Sequence, residues 1–355
     1  MTVEELTLRA YRPRLAVRRA FTELRDRPPA PIVDAHNHLG RWLTGGWAAP
    51  DVGALLAELD ACGVETVVNL DGMWGDELEA NLDRYDRAHP GRFLTVAQWD
   101  RSRFAAGDWD GLAALVRDAL ARGARGLKVW KDLGLHLRDP VGELVLPDDP
   151  RLDPVWDEVV AAAVPVTIHT ADPIAFFEPL DERNERWEEL AEHPDWWFGD
   201  RDRFPSFDRL MASLEALVAR RSDVTWIGAH VLCAAEDLAW VERMFDTYPN
   251  VHADTGARLA ELGRVPRAAR DLIVRHPDRF LFGTDDAPTS ASVVSVYRRA
   301  FETSDEAFAY DVDPDEAPTQ GRWPIAGLDL PDDVLAALYA GNARRLYGAG
   351  APPRP

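Results

Sequence analysis

Short apolar runs alternate with amphipathic stretches along most of the chain. Each apolar run is rich in β-branched residues, ends near a polar residue, and is followed by a loop and a stretch of helical periodicity. The runs predicted as strands are Ile32–His38, Val64–Asp71, Phe93–Asp100, Gly126–Lys131, Val164–Thr170, Val224–His230, Val251–Thr255 and Phe280–Asp285. The stretches predicted as helices include Val52–Ala61, Gly111–Arg122, Pro154–Ala163, Phe207–Arg220, Ala235–Tyr248 and Arg267–Arg275.

Alternating strands and helices are typical of parallel βαβ units, in which each helix returns the chain to the same end of a sheet. Eight such units in about 250 residues are the number that closes a (β/α)8 barrel. An open doubly wound sheet is the alternative, but the sequence lacks the glycine-rich phosphate loop that would support it. The pattern therefore predicts an α/β fold with a single (β/α)8 TIM barrel.

Segments outside the repeat divide the chain further. A helical lead-in is expected over residues 1–30, the barrel over 31–347 and a tail over 348–355. Residues 172–204 lengthen the loop after the fifth strand, and a C-terminal helix is expected over Pro331–Leu346. Because long loops that follow barrel strands commonly cover an active site, residues 172–204 are interpreted as a lid-like insertion.

Side chains alternate between the two faces of a strand, which predicts those that enter the barrel. In the first strand, Val33 and Ala35 are expected to face the helices and Asp34 the interior. In the sixth strand, Ile227 is expected to face the helices. The other polar side chains predicted to face the interior are His36, His38, Lys128, Thr167, His169, His230, His252, Asp254 and Asp285. Ionisable groups of six strands would then meet in one interior.

The net charge of the chain limits the classes of binding partner that are expected. The 355 residues include 61 acidic and 40 basic side chains, which gives a net charge of −21. Nucleic acids and anionic membranes bind clusters of Lys and Arg, so neither is an expected partner. No run approaches 18 uncharged apolar residues, and the first 30 residues lack the apolar core of a signal peptide. We therefore expect a cytoplasmic enzyme that acts on small molecules.

Two histidines separated by one residue, His36 and His38, end the first predicted strand. Because residues two apart on a strand lie on one side, about 7 Å apart along the backbone, both imidazoles can reach one ion. His169, His230 and Asp285 lie at the ends of other strands, where (β/α)8 barrels form their active sites. Imidazole and carboxylate groups at one mouth suit zinc, manganese or iron(II). The sequence thus predicts a catalytic site for a divalent metal.

Five motifs carry a family resemblance: DAHNH, GLKVWK, PVTIHTADP, WIGAH and FGTDDAP. Together they resemble the amidohydrolase superfamily, and within it the branch called amidohydrolase family 2. The resemblance runs from about Ile32 to Tyr347 and includes the long fifth loop. This branch is similar to lactonases, other hydrolases and non-oxidative decarboxylases, so the resemblance implies a metal-dependent TIM barrel without naming its substrate.

The resemblance also implies roles for individual residues. The implied ligands of one divalent metal, usually zinc, are His36, His38, His169 and Asp285. His230 is implied to be catalytic, or to bind a second ion in members that hold two. Lys128 matches a lysine that carries a bridging carbamate in two-metal relatives. One ion is therefore expected, and a second if Lys128 is carbamylated; otherwise the Lys128 ammonium can neutralise a substrate carboxylate.

The leading functional hypothesis is a metal-dependent hydrolase that activates a water to cleave an amide, lactone or ester bond in a small anionic substrate. Asp285 would accept the proton of the water and pass it to the leaving group. The metal or His230 would polarise the scissile carbonyl. One alternative is a metal-dependent non-oxidative decarboxylase, a carbon–carbon lyase, of an aromatic or unsaturated carboxylic acid. A further alternative is an inactive binding barrel.

Three residues are predicted to contact the substrate. Arg258, just after the seventh strand, is the candidate clamp for a carboxylate, with an ion pair to Glu261 as the alternative. Lys128 is the second candidate, and Trp187 of the insertion is the third, since its large ring can cover a planar substrate. A homodimer is possible for such a barrel.

Overall fold

The computed structural model describes residue 2 and residues 4–11, 20–310 and 320–348. Its strands are β1 (Ile32–Asn37), β2 (Val64–Asn69), β3 (Phe93–Thr95), β4 (Leu127–Val129), β5 (Val166–Ile168), β6 (Trp226–Gly228), β7 (Val251–Asp254) and β8 (Phe280–Leu281). Every predicted strand is present, and each ends earlier than the sequence pattern indicated. The polar residues at the predicted strand ends therefore belong largely to the turns that leave the barrel.

Hydrogen bonds close these strands into a ring. All pairings are parallel, in the orders β1-β2-β3 and β4-β5-β6-β7-β8. A bridge between Ala97 and Leu127 joins β3 to β4. At the other edge, the Ala35 amide donates to the Phe282 carbonyl at 2.8 Å, and the Asp285 amide donates to the His36 carbonyl at 2.8 Å. The prediction of a (β/α)8 barrel is confirmed.

Helices surround the barrel, and most begin where the sequence pattern places them. The α-helices of the described chain are Val52–Cys62, Gly75–Asn81, Ser102–Ala106, Trp109–Ala121, Asp132–Leu135, Asp153–Ala162, Trp187–Glu192, Phe207–Arg220, Ala229–Leu232, Leu238–Thr247, Leu259–Leu262, Pro266–Arg275, Ala291–Glu302, Asp332–Ala336 and Asn342–Tyr347. π-Helical turns at Leu82–Arg87 and Ala337–Gly341 extend two of them. Side chains cap the free N–H groups of five helix starts, which explains why the helix expected from Ala235 begins only after Asp237.

Two apolar layers hold the barrel. The outer layer lies between strands and helices, where the indole of Trp226 packs edge-on against that of Trp156 at 5.1 Å. The inner layer joins side chains of strands that are not neighbours, including Val68, Leu94 and Leu281. Such strands can meet only across the barrel interior. Tyr347 of the C-terminal helix completes this layer and shares a hydrogen bond with Thr167 at 2.7 Å.

A bulge in β1 changes the predicted alternation of its side chains. Asp34 pairs with Val67 and Asn37 with Asn69, so β1 uses one residue more than β2 between the two pairs. As a result, Val33 and Ala35 join the inner apolar layer instead of facing the helices. The Asp34 carboxylate points away from the interior and accepts hydrogen bonds from the hydroxyls of Thr284 and Thr289. The expected interior position of Asp34 was wrong, because the bulge shifts the alternation by one residue.

The segments flanking the barrel contain less helix than expected. Before β1, the described residues include only the 3₁₀ turn Leu8–Ala10, and residues 12–19 of the expected lead-in lie outside the described chain. Three prolines between positions 28 and 31 disfavour a helix just before β1. The tail beyond residue 348 also lies outside the described chain. None of the described helices is long and apolar enough to cross a membrane.

Candidate metal centre

Four histidines meet at the carboxyl ends of the strands. His36 and His38 come from the end of β1, whereas His169 and His230 follow β5 and β6. The ring centres of His36 and His38 are 5.4 Å apart, those of His36 and His230 are 4.8 Å apart, and those of His169 and His230 are 4.4 Å apart. Residues more than 190 positions apart in the sequence therefore form one cluster, as predicted for a metal site.

Asp285 lies at the centre of this cluster. Its Oδ1 is 3.1 Å from Nε2 of His36 and 3.0 Å from Nε2 of His38. The ligand atoms of His36, His230 and Asp285 all lie within 4.8 Å of one another. The Asp285 side chain is 25% exposed, so it meets solvent at the mouth of the barrel. Imidazole nitrogens and a carboxylate oxygen this close together are a donor set that fits a divalent metal.

Buried carboxylates contact His36 and His38 at Nδ1, the ring nitrogen that does not face Asp285. Nδ1 of His36 is 2.8 Å from Asp254, and Nδ1 of His38 is 3.0 Å from Asp71. Because a carboxylate only accepts hydrogen bonds, each Nδ1 carries a proton, and each ring in its neutral form has its lone pair on Nε2. Such partners orient metal-binding histidines and increase their basicity. Neither Asp71 nor Asp254 was predicted to belong to the site, although Asp254 has the interior position that strand alternation predicts.

In His169 the ring nitrogen without a hydrogen bond is Nδ1, not Nε2. Its Nε2 is 3.2 Å from Asp172, whereas its Nδ1 is buried and has no hydrogen-bond partner. A buried polar atom without a partner costs about 1–3 kcal/mol, which ligation of a metal would offset. The unpartnered nitrogen therefore supports the predicted place of His169 in the ligand set.

A left-handed turn brings His230 to the cluster. Four consecutive residues have positive φ values: His230 (58°), Val231 (57°), Leu232 (59°) and Cys233 (56°). Left-handed backbone costs roughly 1–2 kcal/mol for each residue that is not glycine, and such strain is concentrated at functional sites. The backbone N–H of His230 donates to Asp254 at 3.0 Å, which stabilises the turn. Ile227 faces the inner apolar layer, contrary to the prediction, so it is this turn that directs His230 inward.

Burial and neighbouring charges set the protonation of the cluster. Burial lowers the pKa of His169 to about 4 and lowers that of His230 well below its usual value, so both rings are neutral near pH 7. Burial also lowers the pKa of His38, but Asp71 and Asp285 raise it to about 9. For Asp285, burial raises the pKa, but interactions with the imidazoles of His36, His230 and His38 outweigh it, so the pKa lies well below its usual value.

Lys128 reaches the same interior from β4. Its side chain is fully buried, and its Nζ is 3.3 Å from Nε2 of His36. None of the described acidic side chains lies within 4.0 Å of this nitrogen, and burial lowers its pKa. The lysine therefore lies where the sequence predicts, next to the first histidine of the candidate ligand set.

Arg258 forms no ion pair with any described residue. Its Nη1 donates to the Ala257 carbonyl at 2.8 Å, and its side chain is only 5% exposed. Glu261, the alternative partner considered for it, pairs with Arg186 of the insertion instead. Burial lowers the pKa of Arg258, but the charges of Glu261 and Glu236 raise it above its usual value. A charged guanidinium without an ion pair suits the predicted clamp for a carboxylate.

Two acids whose charges raise the pKa of Arg258 line a cavity of about 650 Å³. It lies between the insertion and the loops that follow β6 and β7, and Glu236 and Glu261 line it. Burial lowers the pKa of His230 most, and the charge of Arg258 lowers it further.

The tryptophan beside the histidines is Trp130, not Trp187. Trp187 is 43% exposed, and no ring contact or side-chain hydrogen bond joins it to the cluster among the described residues. The ring of Trp130 is 5.2 Å from that of His38 and 6.3 Å from that of His169. Trp187 lies at the start of the short helix of the insertion and is turned outward, so the structure does not bring it to the histidines. Trp130, two residues after Lys128 on the same strand run, was a detectable alternative.

Comparison with known proteins shows which family model the chain matches. A family model described as amidohydrolase matches residues 33–349. A search of curated proteins found no match.

Solved structures share the fold over nearly their whole length. The 2,6-dihydroxybenzoate decarboxylase from Rhizobium is 18% identical, with 90% of this chain and 99% of that chain covered at a TM-score of 0.55. A dihydroxybenzoic acid decarboxylase from Polaromonas, with bound manganese and the inhibitor 2-nitroresorcinol, is 14% identical, with coverages of 90% and 97% and a TM-score of 0.55. An amidohydrolase from Burkholderia multivorans with bound HEPES is 16% identical, with coverages of 90% and 100% and a TM-score of 0.51.

Proposed function

The chain belongs to the amidohydrolase family, and on that premise we propose that it is a metal-dependent hydrolase of a small anionic molecule with an amide, lactone or ester bond. The observation that carries the proposal is the Asp285 carboxylate, which is ionised, partly open to solvent and in contact with His36 and His38. A base in this position can take a proton from water, which hydrolysis requires.

His36, His38, His169 and Asp285 would hold one divalent ion. Three imidazoles and one carboxylate suit zinc, with manganese or iron as alternatives, and a structure of the same fold from Polaromonas contains manganese. When bound, such an ion polarises a substrate oxygen and lowers the pKa of water. A second ion would require a carbamate on Lys128, which lies next to His36.

Asp285 accepts the proton of the attacking water and delivers it to the leaving group. His230 helps to orient the water, because its Nδ1–H donates to the Gly256 carbonyl at 2.9 Å and its Nε2 is left as an acceptor. This makes a neutral His230 unsuited to donate to an oxyanion, the role expected for it from the sequence. Arg258 binds the carboxylate of the substrate, and Trp130 contacts its planar part.

Decarboxylation of an aromatic carboxylic acid is the second candidate. It is favoured by Trp130, whose ring forms a wall beside His38 and contacts Trp42 at 4.9 Å. The Rhizobium and Polaromonas structures of the same fold are decarboxylases of dihydroxybenzoic acids.

Products distinguish the two reactions. The protein would be loaded with one equivalent of zinc or manganese and tested on lactones, aryl esters, amides and hydroxybenzoates. Hydrolysis produces a new carboxylate together with an alcohol or amine group and no CO2, whereas decarboxylation releases one CO2 for each substrate consumed. A new carboxylate without CO2 supports the hydrolase, and stoichiometric CO2 overturns it in favour of the lyase. A metal-loaded protein that acts on none of them would support the inactive binding barrel. The cytoplasmic location and the homodimer stay predictions.

Trp130→Ala is expected to raise KM by about 2- to 10-fold with a smaller change in kcat, because an aromatic contact contributes about 0.5–1.5 kcal/mol. Steady-state kinetics with the best substrate of the panel measures this effect. The matched control is Trp187→Ala, which removes an indole that is 43% exposed on the insertion and is expected to leave KM unchanged. A higher KM in Trp187→Ala alone would mean that the insertion, not β4, provides the aromatic wall.

A further inference from the structure

A buried carboxylate connects His169 to the insertion. Asp172 is 5% exposed, and its Oδ1 is 3.2 Å from Nε2 of His169. Its other oxygen accepts a hydrogen bond from Nζ of Lys131, which follows β4. One carboxylate therefore serves two donors, a ring nitrogen of the candidate metal centre and an ammonium group.

Aromatic rings of the insertion cover the ammonium. Nζ of Lys131 lies 5.2 Å from the ring centre of Trp196 and 5.6 Å from that of Phe198. The ring of His193 stacks on Trp196 at 4.0 Å, and Phe198 is 1% exposed. An ammonium over such ring faces is attracted by their negative charge density, with an effect that grows as water is excluded.

This arrangement differs from the supports of the other two histidines. Asp254 lies on β7 and Asp71 two residues after β2, so residues on or close to the strands position His36 and His38. Asp172 lies in the insertion, and its second oxygen depends on Lys131. Of these three histidines, His169 is thus the one whose orientation depends on the insertion.

We propose that Asp172, oriented by Lys131 beneath Trp196 and Phe198, is a positioning residue that sets the tautomer and rotation of His169. Because the carboxylate only accepts, it keeps the proton on Nε2 and leaves the lone pair on Nδ1, the buried nitrogen without a partner. Through Asp172, the insertion would thereby act on the metal centre. The inference deepens the proposed function and rests on it for the metal that His169 would bind.

Asp172→Asn tests the proposal, because an amide offers one acceptor where the carboxylate offers two. If the amide oxygen turns to Lys131, its NH2 group faces Nε2 of His169 and favours the tautomer with the proton on Nδ1. We expect ¹⁵N NMR of the metal-free protein to show this change of tautomer. Zinc affinity, measured by competition with a chromophoric chelator, should fall by about 10- to 100-fold, as is typical when a ligand's hydrogen-bond partner is lost.

Further variants separate the link from general damage to the fold. Lys131→Met and Trp196→Ala should lower zinc affinity less than Asp172→Asn does. Lys131→Arg keeps the positive charge beside Asp172 and should bind zinc like the wild type. The control is Asp195→Asn, an exposed acid of the same insertion, which should behave as the wild type. If Asp172→Asn does not fold, the zinc affinity of Lys131→Met is compared with that of the wild type instead. Circular dichroism of Lys131→Met checks that this variant is folded.

A wild-type tautomer and wild-type zinc affinity in Asp172→Asn would overturn the proposal, as would Lys131→Met with unchanged affinity. The NMR result does not depend on metal. If the wild-type protein bound no metal, the proposed function would fail, while a tautomer change in the metal-free variant would still support the positioning role.

Discussion

Asp285→Asn is expected to lower kcat by about 10²- to 10⁴-fold, the range that general acid–base catalysis contributes. The amide cannot accept a proton from water, and it presents NH2 where the carboxylate now contacts His36 and His38. The kinetic constants should be measured together with the metal content of each chain. Loss of kcat with full metal content identifies Asp285 as the proton acceptor, whereas loss of both identifies it mainly as a ligand.

The neighbouring acid provides the control for this substitution. Asp286 follows Asp285 directly, and burial raises its pKa to about 7. No hydrogen bond or ion pair of its carboxylate with another described residue has been found, so Asp286→Asn should keep most of the activity. Full activity in Asp285→Asn would contradict the proposed site, whichever of the two reactions the protein catalyses.

His36→Ala is expected to abolish metal binding and turnover together. The imidazole contacts Asp285, Lys128 and Asp254. Its removal therefore takes away one candidate ligand and also a contact of Asp285, a second candidate ligand. The loss of metal affinity should exceed the roughly 10- to 100-fold that follows loss of an outer hydrogen-bond partner. Metal analysis after dialysis measures this effect, and excess zinc should not restore activity to the variant.

Chelator treatment of the wild-type protein separates metal loss from unfolding. Its activity should disappear with the metal and return when one equivalent is added. His252→Gln is the matched control, because His252 is also a buried barrel histidine but lies near Arg345 of the C-terminal helix, with Nε2 at 3.5 Å from its guanidinium. Normal metal content in His36→Ala would show that His36 is not a metal ligand and would contradict the proposed metal centre.

Sequence patterns located the candidate ligands because strand geometry is local. A strand places residues two apart on one side, so His36 and His38 could be paired without knowledge of any other element. The carboxyl ends of parallel strands meet at one end of a barrel, which brought His169, His230 and Asp285 into the same prediction. The supporting acids were harder to find. Asp71 and Asp172 follow the ends of their strands. Their role can be assigned only when the folded structure shows which histidine each of them contacts.

Errors arose where the backbone departs from regular alternation. A single extra residue in β1 moved Asp34 to the outside while His36 still faces inward. In β6, Ile227 faces the interior, and His230 reaches the cluster through four left-handed residues that no helix or strand propensity predicts. Trp187 was chosen for its place in the insertion, but the path of that loop exposes it.

The sequence by itself determined the barrel, the order of its strands and the set of groups at its mouth, because hydrophobic periodicity and strand ends are properties of short segments. Only the tertiary structure decided which nitrogen of each histidine is free, which acid supports it and which tryptophan lies beside it. Several of those features depend on side chains far apart in the sequence, such as His36 and Asp254, which are 218 positions apart in the sequence and 2.8 Å apart in the folded chain. Contacts of this kind leave no local pattern, since each is set by a bulge, a turn or a loop in another element.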